Sequence, residues 1–223
     1  MSSFVNWFVK ITGFPLEFFF FRKKIYYEDK GHTSRKIKGG ALIVSNHTDI
    51  YDYPLMMYTF LSRNLHVLVA EVTYDKNSFM KGFLKSLGAI RVDRDSHDFA
   101  FMSKTTELLK KNKVVLVYPE SRLPKEEEQG HLLEFKPSYI LPALESGVPI
   151  IPVYTNGTYG KLKKKRKDRA RVIIGKKIYV NDLYDKDKSE KENIANINDY
   201  VKNKIANLKE QLDNIVHEEK RAK

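Results

Sequence analysis

The sequence predicts an α/β fold: a mixed, largely parallel sheet flanked by helices, with an N-terminal interfacial helical segment and a C-terminal amphipathic helix. Two observations carry this. Short apolar runs rich in β-branched residues alternate with segments of helical periodicity through the middle of the chain, the pattern of an α/β layer architecture. From Ser189 onward the pattern becomes that of one long charged helix with an apolar stripe. The 223 residues suffice for one domain with its own core, and 42% hydrophobic and 12% aromatic residues exclude a disordered chain.

The elements follow in order. Residues 1–30 form a first segment in which Phe4, Trp7, Phe8, Ile11, Phe14 and the run Phe18 to Phe21 are interrupted by Lys10, Gly13, Pro15 and Glu17. It is too broken to span a bilayer, which takes about 20 mostly apolar residues. Arg22, Lys23 and Lys24 follow the apolar run, whereas a secretory signal carries its basic residues first. Aromatics beside a basic cluster suit a helix lying in a membrane surface; a helix packed on the core is the other reading.

A polar connector, Asp29 to Gly40, leads to the main domain, residues 31–185. There Ala41 to Ser45 reads as a buried strand, Leu55 to Leu61 as helix and Leu65 to Ala70 as strand. Phe79 to Leu87 follows as helix, Ala89 to Val92 as strand and Phe101 to Leu109 as helix, before the β-branched strand Val114 to Tyr118. Tyr139 to Leu144 reads as a short helix stopped by Gly147. Pro149 to Tyr154 then pairs with Arg171 to Ile174 as a hairpin, whose connection carries Lys161, Lys163, Lys164, Lys165, Arg166, Lys167 and Arg169. That connection is either a solvated hairpin tip or a contact for an anionic surface. In residues 186–223, Ser189 and Glu192 make a capping box, and Ile194, Ile197, Val201, Ile205, Leu208 and Leu212 make a stripe that covers the domain or meets a partner.

Cysteine is absent, which removes disulfides, cysteine-ligated metals and a thiol nucleophile. The net charge of +12 calls for an anionic partner: nucleic acid, an acidic lipid surface or a phosphorylated ligand. Neither zinc ligands nor an aromatic RNA-binding signature is present, so nucleic acid is not expected. A hydrolase with a Gly-x-Ser-x-Gly elbow is excluded for want of that motif.

The chemistry-bearing segment is Ser45-Asn46-His47-Thr48-Asp49-Ile50-Tyr51-Asp52. His47 emerges after a buried strand, where open α/β sheets place their ligand sites. Residues five apart on one helix point about 140° apart at 3.6 residues per turn. His47 and Asp52 therefore meet only if the histidine precedes the helix and the aspartate sits in its first turn, with Asp49 as the N-cap. Such an aspartate fixes the imidazole tautomer and leaves the other nitrogen to take a proton from an alcohol. On these residues alone, an exposed histidine on an ordinary strand-to-helix turn is the competing reading.

Asn46-His47-x4-Asp52 resembles the first motif of the glycerophospholipid acyltransferase family, which includes the lysophosphatidic acid acyltransferases. Three further blocks stand in the family's order: Gly88 to Arg94, Tyr118-Pro119-Glu120-Ser121-Arg122, and Val148 to Val153. Together they run from about Ala41 to Gly157, and four ordered blocks are far more specific than one. The resemblance implies transfer of a fatty-acyl group from acyl-CoA or acyl-carrier-protein, as co-substrate, to a lysophospholipid hydroxyl. His47 would be the base oriented by Asp52. Arg94, Glu120 and Arg122 would serve the acceptor phosphate, with Glu120 contacting the acceptor or positioning Arg122. Val148, Ile150 and Ile151 would line the acyl chain. Neither metal nor cofactor is implied, and the expected location is the cytoplasmic face of a membrane, held peripherally on an anionic surface. The alternative is a non-catalytic basic protein that binds such surfaces. Ser121 stands where the family has glycine, Asp49 where serine is common, Pro137-Ser138 where a glycine often follows, and Glu71 in a stretch where a lysine is frequent. Acceptor headgroup, chain length and oligomeric state are left open.

Overall fold

The computed structural model describes residues 3–93, 100–160 and 169–222. Seven strands form one sheet in the order β1-β7-β6-β2-β5-β3-β4. They are β1 (Lys24–Tyr27), β2 (Ala41–Ser45), β3 (Leu65–Ala70), β4 (Ile90–Val92), β5 (Val114–Val117), β6 (Ile150–Asn156) and β7 (Arg171–Ile174). Only β6 and β7 run antiparallel, as the expected hairpin; every other pairing is parallel. Strands β2 and β5 are buried at every position, as near-continuous Val, Ile and Leu runs require when both sheet faces are covered.

One face is covered by α1 (Ser3–Phe21) and α2 (Asp52–Thr59), whose Leu55, Met56 and Phe60 side pack with Phe21 against Ile43, Val67 and Leu116. The other face carries α5 (Ala100–Lys110), α6 (Ile140–Ser146) and α7 (Glu190–Arg221). Between β3 and β4 the chain makes α3 (Glu71–Tyr74) and α4 (Ser78–Leu87), the latter capped by Asn77, whose side chain accepts from the Met80 N–H at 2.8 Å. Gly147 ends α6 with φ +65°, the left-handed stop that glycine adopts without a Cβ penalty.

The capping box of α7 forms as the sequence requires, and Ile197, Val201, Ile205, Leu208 and Leu212 are buried in the core. This stripe therefore covers its own domain. One strand escaped the sequence reading: Lys24–Tyr27 follows the basic cluster and pairs in parallel with Arg171–Ile174 at the sheet edge.

Helix α1 is packed on the core along one side and bare along the other. Its inner side rests on α2 and α4: Asn6 donates to the Leu87 carbonyl at 3.4 Å, Lys10 to the Arg63 carbonyl at 2.7 Å, and Tyr58 to the Val9 carbonyl at 2.9 Å. Gly13 admits that tyrosine, since a Cβ there would lie 2.2 Å from the phenol oxygen. Its outer side leaves Phe4, Trp7, Phe8, Ile11, Phe18 and Phe19 exposed. Among the described residues no helix is long and apolar enough to cross a membrane.

Candidate active site

The parallel strands β2 and β5 end at the same sheet edge, and the loops leaving them converge there. At the end of β2, Asn46 extends the ladder with its side chain, donating to the Thr155 carbonyl at 2.9 Å and accepting from the Thr155 N–H at 2.8 Å. This fixes the backbone that presents His47. Helix α2 begins at Asp52 itself. Asp49 makes a turn instead of a side-chain cap: its carboxylate accepts from the Tyr51 N–H at 3.3 Å, and its carbonyl accepts from the Asp52 N–H at 3.0 Å.

His47 precedes the helix and Asp52 opens it, so the two side chains meet, with His47 Nδ1 2.9 Å from Asp52 Oδ2. Asp52 is fully buried. Its Oδ2 also accepts the Thr48 and Asp49 backbone N–H groups at 2.5 and 2.9 Å, and its Oδ1 faces the hydroxyls of Thr48 at 3.0 Å and Thr158 at 2.7 Å. A buried carboxyl with this many donors is fixed in both position and plane. With Nδ1 engaged, Nε2 is the nitrogen left for a reacting proton, and among the described residues it has no hydrogen-bond partner.

Two residues from the loop after β5 complete the support. Tyr118 stacks on the His47 ring at 4.2 Å between centroids and 14° between planes. Glu120, 5% exposed, accepts the His47 N–H at 3.3 Å. Burial pushes its carboxyl up to about 7, against the pull of the His47 and Leu133 N–H groups. Its Oε1 has no partner among the described residues. Glu120 thus stands under the histidine backbone, and its carboxyl also acts electrostatically on Arg122.

His47 opens onto a cleft of about 430 Å³. Its floor and walls are mostly apolar, with Tyr53, Val67, Val69, Ala70, Val72 and Leu84 among them, and Ser121 and Arg122 at its rim. Arg122 is bound in fork geometry by Glu128, both contacts at 2.7 Å, which holds the Glu128 carboxyl low, at about 2. Ser121 has φ +59°, which explains why glycine suits this place in the motif. No group of three or more His, Cys, Asp or Glu side chains among the described residues could hold a metal ion.

The structure thus brings together His47, Asp52, Glu120 and Arg122. Arg94 lies outside the described residues, as does most of the basic hairpin connection. Ile150 is buried on the α7 side of the sheet, with Val148 packed against that cluster, and Ile151 is buried on the α2 side, in the same apolar cluster as the cleft-lining Tyr53, Val67, Val69 and Tyr118. Sequence reasoning missed Thr158, which reaches Asp52 from the far end of β6. Nothing local in Asn156-Gly157-Thr158 signals that contact.

A family model described as Acyltransferase matches residues 24–156, more than half of the chain and all of the elements that build this site up to the end of β6. The chain belongs to the acyltransferase family. The match starts at β1, the strand whose sequence gave no clear signal, and includes His47, Asp52, Glu120 and Arg122. The acyltransferase is 21% identical, over 176 residues, to a 1-acyl-sn-glycerol-3-phosphate acyltransferase of Bacillus subtilis (strain 168), covering 79% of this chain and 84% of that one. It shares its fold with the crystal structure of the 1-acyl-sn-glycerophosphate acyltransferase PlsC from Thermotoga maritima, at a TM-score of 0.66 and 20% identity, over 94% of this chain and 78% of that one. This acyltransferase is therefore a distant relative of the lysophosphatidic acid acyltransferases.

Proposed function

We propose that this acyltransferase moves a fatty-acyl group from a thioester, acyl-CoA or acyl-carrier-protein, to the free hydroxyl of lysophosphatidic acid or a related lysophospholipid. The observation that carries the proposal is the 2.9 Å contact between His47 Nδ1 and Asp52 Oδ2, with the other ring nitrogen turned to an apolar cleft. In the reaction Nε2 takes the hydroxyl proton as the oxygen bonds to the thioester carbonyl carbon. The tetrahedral adduct then collapses, the carbon–sulfur bond breaks, and the imidazolium returns its proton to the thiolate. The leaving thiolate is good enough that no covalent enzyme intermediate is required.

Arg122 is the described cation at the cleft rim best suited to the acceptor phosphate, since a guanidinium offers paired donors to two oxygens. An arriving phosphate would replace Glu128 in that fork. Arg94, at the end of its motif, is proposed as a second phosphate ligand. The acyl chain finds its natural place along Val67, Val69, Ala70 and Leu84, beside the histidine. Peripheral attachment to an anionic membrane is supported by the exposed aromatic side of α1 and the net charge of +12.

The test is a matrix of donors and acceptors: labelled acyl-CoA and acyl-carrier-protein offered with glycerol 3-phosphate, lysophosphatidic acid and lysophospholipids lacking a phosphomonoester. Product from lysophosphatidic acid or another lysophospholipid with either thioester supports the reading; turnover confined to glycerol 3-phosphate, or none with any acceptor, removes it.

A further inference from the structure

A second cavity lies at the foot of α1, with a volume of about 680 Å³ and no lining residue in common with the His47 cleft. Its position follows from the register. Lys24 of β1 pairs with Arg171 of β7, and Arg171 with Asn156 at the end of β6; Val153 of β6 in turn pairs with Ser45 at the end of β2. The corner of the cavity at Lys24 and Arg169 therefore lies toward the sheet edge from which His47 emerges, while Leu61 and Arg35 carry it toward the starts of the strands. Its lining combines apolar side chains, Phe14, Phe18, Phe19, Ile25 and Leu61, with cationic ones, Arg22, Lys23, Lys24, Arg35 and Arg169, and includes Glu17.

The charges are unequal in availability. Glu17 is buried against Lys23, and Lys24 is engaged by Glu219. Arg35 and Arg169 are exposed and form no ion pair among the described residues. Two guanidinium groups in a cavity lined in part by phenylalanines suit a ligand that is anionic at one end and aliphatic at the other. Phe18 and Phe19 belong at once to this cavity and to the exposed aromatic side of α1, so the cavity mouth is continuous with the surface that would rest on lipid.

We propose that this cavity is a second lipid site, which takes a phospholipid with an anionic headgroup, its phosphate on Arg35 and Arg169 and its chain along Phe14, Phe18 and Leu61. The chemistry is that of a phosphate ester on an acyl glycerol. Bilayer lipid as its source rests on the membrane reading above, whereas the site itself does not. An occupant there would fix α1 on the bilayer.

The experiment has two arms on the full chain. In the first, monomeric short-chain phosphatidylglycerol and phosphatidylcholine of equal chain length are titrated calorimetrically. The wild type binds the anionic lipid about tenfold more tightly or better, and Arg35→Gln/Arg169→Gln abolishes the preference. Lys186→Gln/Lys191→Gln, an equal loss of charge at exposed positions on the other side of the chain's sequence, retains it. Equal affinities in the wild type, equal losses in both double variants, or dependence on Arg122 in place of Arg35 and Arg169 each overturn the site. In the second arm, Trp7 emission reports binding to vesicles with and without phosphatidylglycerol. A site that passes the first arm while Trp7 ignores both vesicles leaves the cavity standing and refutes the membrane reading. Turnover of a soluble short-chain acceptor stays within twofold of wild type in Arg35→Gln/Arg169→Gln, which separates this site from the reaction cleft.

Discussion

Thr158 Oγ1 lies 2.7 Å from Asp52 Oδ1 and 2.6 Å from Thr48 Oγ1, across 106 and 110 residues of chain. Thr48 Oγ1 is itself 3.0 Å from the same carboxylate oxygen. Two hydroxyl hydrogens can fill only two of these three contacts, as when one hydroxyl donates to Asp52 and the other donates to its neighbour. Gly157, with φ +80°, makes the turn that brings Thr158 back over Asp52; a Cβ there would lie 2.3 Å from the Arg169 carbonyl oxygen.

Thr158→Val is expected to lower kcat roughly tenfold with KM little changed, because a lost hydrogen bond to a charged group loosens the carboxylate that orients the imidazole. Thr158→Ser keeps the hydroxyl and is expected to stay near wild type. Steady-state kinetics on both variants decides it; equal losses in the two would reduce Thr158 to packing.

His47→Ala removes the proposed base and is expected to cost ~10²–10⁴-fold in kcat with the fold intact, since positioned acid–base groups supply that much. Circular dichroism checks the fold and product formation checks the rate. Near-normal turnover would take His47 out of the chemistry.

Glu120 makes stability depend on pH. Its folded value, about 7, lies above the usual 4.5 of a glutamate because burial disfavours the carboxylate. The folded state therefore holds this proton more tightly than the unfolded chain does; the contribution is complete below about 4.5 and is lost as pH rises through about 7. Glu120→Gln, neutral at every pH, is expected to be more stable than wild type at pH ~8 by ~1–3 kcal/mol and nearly equal at pH ~5. Urea denaturation at the two pH values measures the difference; a gap independent of pH would contradict it.

Ser121 sits in left-handed backbone, where a Cβ costs roughly 1 kcal/mol. Ser121→Gly is expected to stabilise the protein by up to about 1 kcal/mol, offset in part by loss of the 3.3 Å hydroxyl contact to the Pro119 carbonyl. Ser121→Val, β-branched at the same φ, is expected to destabilise it by more. Thermal melts of the pair test the sign of each change.

The Arg122 fork predicts a competition. Glu128→Gln weakens the intramolecular rival and is expected to lower KM for a phosphate-bearing acceptor several-fold, while Arg122→Gln raises it. KM for acceptors lacking a phosphomonoester should not follow. A Glu128→Gln enzyme with an unchanged or higher KM would mean that this guanidinium does not hold the phosphate.

The buried strands were legible because a strand covered on both faces admits only apolar runs, as in Ala41–Ser45 and Val114–Val117. The approach of His47 to Asp52 was legible too, because helix geometry forbids it unless the helix starts between them, and α2 does. The helix α7 could be read from its capping box and stripe alone. Strand β1 could not: four residues after a basic cluster carry no period, and their partner lies 147 positions away. Nor could Glu120 be placed. Its motif fixes its position along the chain, but its proton affinity depends on how much of it is buried beneath His47.

The sequence by itself determined the α/β order of elements, the strand-to-helix turn that pairs a histidine with an aspartate, and the net positive charge, since each is encoded within a few neighbouring residues or in a sum over all of them. Only the tertiary structure decided that Thr158 holds Asp52, that Arg122 is taken by Glu128, that Ile150 and Ile151 are buried on opposite faces of the sheet, and that α1 has one side on the core and one side bare. These depend on which distant segments the sheet order lays side by side, and a contact across a hundred residues leaves no periodic trace in either of the segments that make it.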